Sequence, residues 1–431
     1  MKLNDIAEFV TDKISSSSIS LENYVTTDSL LQNKRGRETA QNLPPMLCAL
    51  THYKRGDVLV ANIRPYLKKV WFADSEGGCS SDVLVFRAKN GHYPSFLYTV
   101  LLQDAFFDYA MSGAKGSKMP RGDKDQIMRY ELPTFTSLEE ENIGNIMVDI
   151  MSKINANRQI NDNLEAMAKQ LYDYWFVQFD FPNEEDKPYK SSGGAMVWNE
   201  KLKREIPQGW TAAKIKDVAQ TYSGGTPTST NSEYYDGGDI PWINSGELNN
   251  SIITSTTNYI TEEGLNNSSA KLYPQNTVLV ALYGATAGKV SLLSFEACSN
   301  QAVCGVIPQN KIMTTYIRYY LSSLYEHFIT LSSGSARDNI SQDTIKNTIL
   351  PIPQEKILKE FSDAVAPIIS KIIANQKEME TLTKQRDELL PLLMNGRATL
   401  NYHLFVMQSR LSSYRRLHPF YVLLYTFCVS V

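Results

Sequence analysis

The sequence predicts an α+β protein in which two globular domains alternate with two long antiparallel coiled-coil helices, related by a pseudo-two-fold internal duplication. Three observations support this fold class. Motifs of the first half recur in the second half at a nearly constant offset. Short β-branched segments bounded by polar turns fill each globular part. One apolar heptad spacing runs through a long segment in each half.

The duplication rests on several matches that keep the same order. Residues 56–61 return as 276–281, which is 220 positions later, and residues 152–157 return as 370–375, which is 218 positions later. The openings also align, with Lys2, Asp5 and Ala7 matching Lys214, Asp217 and Ala219. A repeated period of this kind indicates one structural unit used twice. Each unit is a globular domain followed by a helix.

Within each globular part, β-branched runs predict short strands and apolar runs predict short helices. The predicted strands are Val58–Asn62, Val83–Phe86, Val278–Leu282 and Ala302–Ile307. The predicted helical stretches are Ser95–Ala110 and Tyr316–Leu331.

The two long helices are predicted from one 4-3 spacing that runs from Ile143 to Trp175 and, 218 positions later, from Phe361 to Leu393. Asn157 and Asn375 occupy equivalent seam positions, where a polar residue either fixes register or is solvated at a wide part of the bundle. Pro367 predicts a kink or the true start of the second helix. The alternative is two independent helices, each packed on its own domain. The apolar seam residues assigned to partner binding are Ile150, Ile154, Leu164, Leu171, Ile368, Ile372, Leu382 and Leu389.

These patterns set the domain boundaries. They are a first domain at 1–135, a first helix at 136–180, a linker at 181–210, a second domain at 211–352, a second helix at 353–398 and an atypical tail at 399–431.

Composition excludes several classes of protein. The net charge of −3 argues against indiscriminate nucleic-acid binding, which needs clustered Lys and Arg. Five scattered cysteines give neither a zinc ribbon nor a disulfide framework. The first ten residues lack a signal pattern, which predicts a cytoplasmic protein, and no segment is predicted to span a membrane.

Two motifs that suggest catalysis are incomplete. Gly284–Lys289 has three residues between its glycines and Val290 after the lysine, so it is not a nucleotide-binding loop. It is better interpreted as a glycine-permitted turn that brings Lys289 near a DNA phosphate. Residues 42–45 only superficially match an amino-methyltransferase motif, because Leu43 interrupts it. The chain is therefore predicted not to be an enzyme.

Polar and basic loops remain as candidate sites. Arg and Lys can contact guanine edges, amides can contact adenine, and hydroxyls can contact phosphates. Any single residue of this kind is more often a solvated surface residue, so the set carries the prediction. The candidate DNA-binding residues are Arg64, Lys68, Lys69, Lys115, Lys118, Arg121, Thr226, Lys289, Ser333, Arg337 and Asn339.

At these residues the sequence resembles the specificity (S) subunit of a type I restriction-modification system. The resemblance covers about residues 1 to 400, and its domain order and helices match as well as its motifs. The stretches that carry it are 21–25, 62–66, 79–86, 164–181, 196–210, 223–227, 239–246, 283–289 and 298–301.

The resemblance implies that each target-recognition domain reads one half of a split, asymmetric double-stranded DNA target. It implies two methyltransferase (M) subunits, which carry S-adenosylmethionine chemistry on adenine, and restriction (R) subunits, which add an ATP- and Mg-dependent nuclease. This chain is then expected to need no cofactor or metal itself. The alternatives are a coiled-coil protein-interaction scaffold without DNA specificity and a fused methyltransferase, which the missing cofactor motifs disfavour.

Overall fold

The computed structural model describes residues 1–333 and 339–396. The chain divides into two compact units. Unit 1 comprises Met1–Ala156 and the chain from Met379 onward, and unit 2 comprises Asn157–Glu378. The predicted tail at 399–431 lies outside the described residues, as does Arg337. In the described ranges, no helix is long and apolar enough to cross a membrane.

Strands and helices alternate along both units, as the predicted α+β class requires. The strands are β1 (Ala7–Phe9), β2 (Lys13–Ser15), β3 (Tyr24–Val25), β4 (Ala49–Tyr53), β5 (Val58–Ala61), β6 (Val70–Phe72), β7 (Gly77–Cys79), β8 (Val83–Ala88), β9 (Met196–Asn199), β10 (Arg204–Pro207), β11 (Thr211–Lys214), β12 (Ala219–Ser223), β13 (Ile240–Ile243), β14 (Ile252–Ile253), β15 (Tyr259–Ile260), β16 (Val278–Ala281), β17 (Val290–Leu293), β18 (Cys298–Ser299), β19 (Val303–Pro308) and β20 (Ile349–Ile352). The helices are α1 (Leu3–Ile6), α2 (Pro94–Leu102), α3 (Asp104–Ser112), α4 (Lys124–Ile127), α5 (Ser137–Tyr172), α6 (Ile215–Val218), α7 (Glu262–Asn266), α8 (Met313–Ser323), α9 (Tyr325–Ser333), α10 (Gln342–Asn347) and α11 (Glu355–Met394).

The main sheet of unit 1 has the order β1-β8-β5-β6 and is antiparallel throughout. Both of its faces are buried. Val58 and Val60 pack into the core that contains α2 and α3, whereas Leu59 and Ala61 pack into a second core shared with β3, β4 and β7. Successive side chains of a strand point to opposite faces, so a strand covered on both sides is apolar at every position.

Unit 2 has a main sheet with the order β12-β19-β16-β17-β14. Its first four strands stand in the same order as those of the unit 1 sheet. The central strand again divides its side chains between two cores, with Val278 and Val280 on one side and Leu279 and Ala281 on the other.

The two halves also open with the same local structure. In unit 1 the backbone N–H of Lys2 donates to Asp5 Oδ2 at 2.6 Å, and in unit 2 the N–H of Lys214 donates to Asp217 Oδ2 at 2.9 Å. An acidic side chain that binds a free N–H at a helix start stabilises that end. This contact explains why Asp recurs at the same helical position in both openings, whereas each lysine contributes only its backbone N–H.

Several sequence predictions differ from the structure. The stretch Ser95–Ala110 is two helices separated at Gln103, and Tyr316–Leu331 is two helices separated at Leu324. The predicted linker contains the β9–β10 hairpin, and its Ile206 and Trp210 are buried in the core of unit 2.

The two long helices are present, and their heptad seam is largely buried. α5 has 36 residues and α11 has 40. α11 begins at Glu355, twelve residues before Pro367, so the interpretation of Pro367 as a helix start is wrong. The proline lies on an exposed face of α11, where water can bind the carbonyl that loses its amide partner.

The seam asparagines are hydrogen-bonded inside unit 2 rather than solvated. Asn375 Nδ2 donates to Asn161 Oδ1 at 2.8 Å, and Asn161 Nδ2 donates to the carbonyl of Ile372 at 3.2 Å. Asn157 Nδ2 donates to Glu378 Oε2 at 2.8 Å. Asn157 and Asn375 therefore do not pair with each other. The contacts run 157 with 378 and 161 with 375, which is an antiparallel arrangement of these helix segments.

Candidate nucleic-acid interface

The loops that carry the candidate residues of unit 2 meet at one end of its main sheet. β12 ends at Ser223 beside the start of β19, and β16 ends at Ala281 opposite Val303 and next to the start of β17. Because these neighbours are antiparallel, the loops after β12, after β16 and before β19 emerge on the same side. We call these loops, with residues 339–341, the loop end of unit 2.

Unit 1 has the equivalent loop end. β5 ends at Ala61 opposite Val83 and next to the start of β6. The bridge between Ile63 and Arg121 adds the segment before α4, and the N–H groups of Asn33 and Lys34 donate to the carbonyls of Leu67 and Lys68. The loop end of unit 1 therefore comprises residues 33–37, 62–69, 80–82 and 115–122.

Four of the six basic candidates in unit 1 surround this end with exposed or partly exposed charge. The N–H of Arg64 donates to the carbonyl of Pro120 at 2.7 Å, and Lys115 and Arg121 exchange two backbone hydrogen bonds of 2.9 Å. The Lys115 side chain is 84% exposed, and Arg121 lies 3.1 Å from Asp82. Lys118 is exposed in the same loop. The structure thus brings together two sequence segments that are about fifty residues apart.

Lys68 and Lys69 are more engaged within the unit. Lys68 Nζ lies 2.7 Å from Asp104 Oδ1, and Lys34 Nζ lies 2.9 Å from the same oxygen. Burial raises the pKa of Asp104, but the two lysines outweigh burial and hold that pKa below its ordinary value. Lys69 donates to the carbonyl of Thr27, and burial lowers its pKa. Two lysines that share one carboxylate leave one positive charge uncompensated at this place.

Sequence reasoning missed Lys34, Arg35 and Arg37, which belong to the same loop end. Arg37 packs on the ring of Trp71 at 4.4 Å and donates to the carbonyl of Glu22 at 2.7 Å. The signal was available, because residues 33–37 contain three basic residues within four positions.

The backbone at this end is held in an uncommon conformation. Asn33, Lys34, Arg64 and Lys68 all have positive φ, between 51° and 61°. Left-handed backbone costs free energy for residues other than glycine, and such positions concentrate at functional sites. Backbone hydrogen bonds join Asn33 to Leu67 and Lys34 to Lys68, and the bond to Pro120 holds Arg64.

The loop end of unit 2 is chemically different. Thr226 Oγ1 donates to Gln301 Oε1, and both residues are exposed. Lys289 Nζ donates to Asn249 Oδ1 at 2.5 Å, and Asn339 bridges to Tyr283. Ser333 is the last residue of α9. Among the described residues, hydroxyls and amides dominate here where cations dominate in unit 1.

Gly284–Lys289 forms the predicted turn beside a strand. Gly284 and Gly288 have φ of +83° and +79°, which only glycine adopts at low cost. In the described part of the chain, no group of three or more His, Cys, Asp or Glu could hold a metal ion.

The eight residues assigned to partner binding lie within the chain's own cores. Ile150, Ile154 and Leu389 are buried in the core of unit 1, with Leu382 packed against it. The other four belong to unit 2, where Ile372 is buried and the rest are packed against the core: Leu164, Leu171, Ile368 and Ile372. Their role toward a partner stays a prediction.

A different stripe, on α5 and on the helical turn of residues 173–177 that follows it, is apolar and exposed. Ile160, Met167 and Tyr174 follow each other at spacings of seven and are 43%, 55% and 38% exposed, and Val177 continues the stripe. Residues seven apart lie on one face of a helix. The sequence prediction missed this stripe because it selected the heptad seam, whose residues lie one position later in the chain.

Comparison with known proteins finds one matching family model and several similar proteins. Residues 207–384 match the family model described as the type I restriction modification DNA specificity domain. The chain is 26% identical to the type I restriction enzyme HindI specificity subunit of Haemophilus influenzae, over 91% of this chain and 98% of that one. It is 25% identical to the MjaIX specificity subunit of Methanocaldococcus jannaschii, over 81% and 79%.

A solved structure has the same fold. The S subunit of a type I restriction-modification system from M. genitalium covers 93% of this chain and 96% of its own, with a TM-score of 0.59 and 14% identity.

Residues 207–384 match the type I restriction modification DNA specificity domain, and most of the chain is similar to specificity subunits of type I restriction enzymes, which confirms the resemblance drawn from its sequence. Specificity subunits are the non-catalytic members of their enzymes, so the prediction that this chain is not itself an enzyme is also confirmed.

Proposed function

We propose that this chain is the DNA sequence-recognition subunit of a type I restriction-modification complex and reads a bipartite, asymmetric target. One observation carries the proposal. Two sheets with the same strand order present loop ends of different chemistry, cationic in unit 1 and rich in hydroxyls and amides in unit 2. One scaffold with two different reading surfaces fits a target whose halves differ in sequence.

The two surfaces suit different contacts. Guanidinium and ammonium groups such as Arg121 and Lys115 bind phosphates and the acceptor edge of guanine. Amides such as Gln301 and Asn339 can pair with adenine through one donor and one acceptor. Unit 1 should therefore supply more of the salt-dependent affinity, since each phosphate neutralised releases counterions.

The catalytic chemistry belongs to partner subunits in this proposal. Two M subunits methylate adenine with S-adenosylmethionine, and R subunits add restriction with ATP and Mg, in the cytoplasm. The exposed stripe Ile160, Met167, Tyr174 and Val177 is the better docking surface for an M subunit than the seam, because the seam is occupied within the chain. An apolar stripe along an exposed helix face is typical of a protein interface.

Base-resolution mapping of adenine methylation tests the proposal. Cells that carry this gene with its methyltransferase partner should methylate a motif with two unequal halves and a fixed spacer. Removing one heptad from both α5 and α11 should shorten the tolerated spacer by about 3 base pairs, since seven helical residues rise about 10.5 Å and base pairs stack about 3.4 Å apart. The half-site sequences should not change.

A coiled-coil scaffold without DNA specificity predicts another outcome. Deleting the gene would then leave the methylation pattern unchanged, and the purified chain with its M subunits would show no sequence preference. Either result would reject the proposal.

A further inference from the structure

We propose that Asn62, Arg64 and Ser80 form the base-reading centre of unit 1, with the surrounding lysines and arginines serving the DNA backbone. This assignment rests on the proposed function. It separates residues that determine sequence preference from those that determine affinity.

The observation behind it is a cluster of buried polar atoms without partners. Asn62 Oδ1, Arg64 Nε and Ser80 Oγ are buried and make no hydrogen bond within the described chain, although each of the three residues is partly exposed, so a rotation of its side chain brings the atom to the surface. Such atoms are rare in folded proteins, because each loses its bonds to water without replacement. Within unit 2, the corresponding loop end has no such atom among its described residues.

All three residues lie on adjacent turns of the unit 1 loop end. The N–H of Asn62 donates to the carbonyl of Asp82 at 2.8 Å, and the carbonyl of Ser80 accepts from Val83 at 3.0 Å in the same turn. Arg64 is fixed by its hydrogen bond to Pro120 and by its left-handed backbone, with φ of +51°. The backbone therefore holds the three side chains without using their polar atoms.

Gly122 packs closely against the Asn62 amide. Its N–H donates to the carbonyl of Asn62 at 3.1 Å, and a Cβ at Gly122 would lie 2.9 Å from Asn62 Oδ1. Ile127 Cδ1 would lie at the same distance, so a larger residue at position 122 would displace the Asn62 side chain from its place in the loop end.

The donor and acceptor pattern selects a base edge over a phosphate. Arg64 Nε donates only, Asn62 Oδ1 accepts only, and the Ser80 hydroxyl does either. A phosphate diester offers acceptors but no donor, so it cannot satisfy Asn62 Oδ1. A G·C pair presents guanine acceptors and the cytosine amino donor side by side in the major groove, and adenine also presents a donor beside an acceptor.

Arg121 and Asp82 complete the assignment. Arg121 is 59% exposed and lies 3.1 Å from Asp82, which belongs to the same turn as Ser80. Asp82 holds the Arg121 guanidinium at the edge of the reading centre. Arg121, Lys115 and Lys118 form the exposed rim, where phosphate contacts position the duplex.

The test compares Asn62→Ala and Ser80→Ala with Lys118→Ala in the complete complex with M subunits. Methylation is measured on a DNA library in which each position of both half-sites is randomised. Asn62→Ala should lose base preference at one or two adjacent positions of one half-site by about 5- to 150-fold, the range of one good base contact. Lys118→Ala should weaken methylation of all sequences alike and reduce the salt dependence of binding.

The thermal unfolding temperature of Ser80→Ala supplies a second readout. A structural role of the hydroxyl would lower this temperature, whereas the proposed role would not. Removing an unpartnered buried hydroxyl relieves a desolvation cost, so Ser80→Ala should unfold at the same temperature as the wild type or higher. A lower unfolding temperature for Ser80→Ala would show that the hydroxyl is bonded in the folded protein, and this would overturn the assignment.

Three further outcomes are informative. Suppose that the wild-type complex methylates a bipartite target. Unchanged base preference in Asn62→Ala, or a loss of methylation that is uniform across all positions, would then overturn the assignment of the reading centre. Loss of preference in both half-sites would also contradict it. A wild-type complex without any bipartite preference would instead reject the proposed function.

Discussion

The ion pair between Glu165 of α5 and Arg318 of α8 provides the strongest prediction about stability. Arg318 Nη2 lies 2.6 Å from Glu165 Oε1, and the side chains are 2% and 27% exposed. Ser251 Oγ donates to the other carboxylate oxygen at 3.3 Å. The guanidinium also lies 4.8 Å from the ring centre of Tyr319. This pair joins the helix to the second globular domain within unit 2.

Glu165→Ala leaves the Arg318 charge buried without its carboxylate. Breaking a buried pair in this way costs about 3–5 kcal/mol. Since Glu165 is partly exposed and water can reach part of the site, we expect about 2–3 kcal/mol. For a unit of this size that is a fall of about 4–12 °C in unfolding temperature. The double variant Glu165→Leu with Arg318→Met should recover most of the loss, because an apolar pair of similar volume needs no desolvated charge.

Urea and thermal unfolding of both single variants and the double variant give the coupling free energy. The matched control is Glu185→Ala, which removes an exposed ion pair of 2.8 Å with Lys187 in the same unit and should change stability by less than about 0.5 kcal/mol. If Glu165→Ala loses no more stability than this control, or if the double variant is as unstable as the single variants combined, the reasoning about the buried charge is wrong.

Three other predictions concern the helices and the cysteines. Asn375→Leu should lower the free energy of unfolding by about 1–3 kcal/mol, because the buried Asn161 loses its donor. Adding Asn161→Leu should restore part of the lost stability, and the midpoints of urea unfolding measure both changes. Gly144→Ala normally stabilises a helix by about 1 kcal/mol, but here the new Cβ would lie 2.3 Å from Ser95 Oγ and 2.6 Å from a backbone nitrogen, so thermal unfolding should reveal a loss. Burial raises the pKa of the Cys79, Cys298 and Cys304 thiols to about 12. A thiol reagent at pH 8 should therefore label the exposed Cys48 in the folded protein, and peptide mapping should find label on the three buried cysteines only after unfolding. A stable Gly144→Ala variant, or equal labelling of buried and exposed cysteines, would contradict the packing described for those positions.

Much of the fold was predictable because it depends on local pattern. The strand Val58–Ala61 and its counterpart Val278–Ala281 are short, β-branched and continuous in apolar character, and the structure places both at the centre of a sheet. The candidate site was predictable only in part. The basic run in residues 33–37 is visible in the sequence, but its place beside Arg64 is not, because it depends on backbone hydrogen bonds of Asn33 with Leu67 and of Lys34 with Lys68.

The sequence by itself determined the α+β class and the positions of the central strands and of the two long helices, because each follows from periodicity along the chain. Only the tertiary structure decided which polar groups meet. Asn375 pairs with Asn161 and not with its sequence counterpart Asn157, since antiparallel helices bring together residues whose numbers run in opposite directions. The unpartnered atoms of Asn62, Arg64 and Ser80 are equally invisible in the sequence. Whether a polar side chain is satisfied depends on every neighbour folded around it, and those neighbours come from distant parts of the chain.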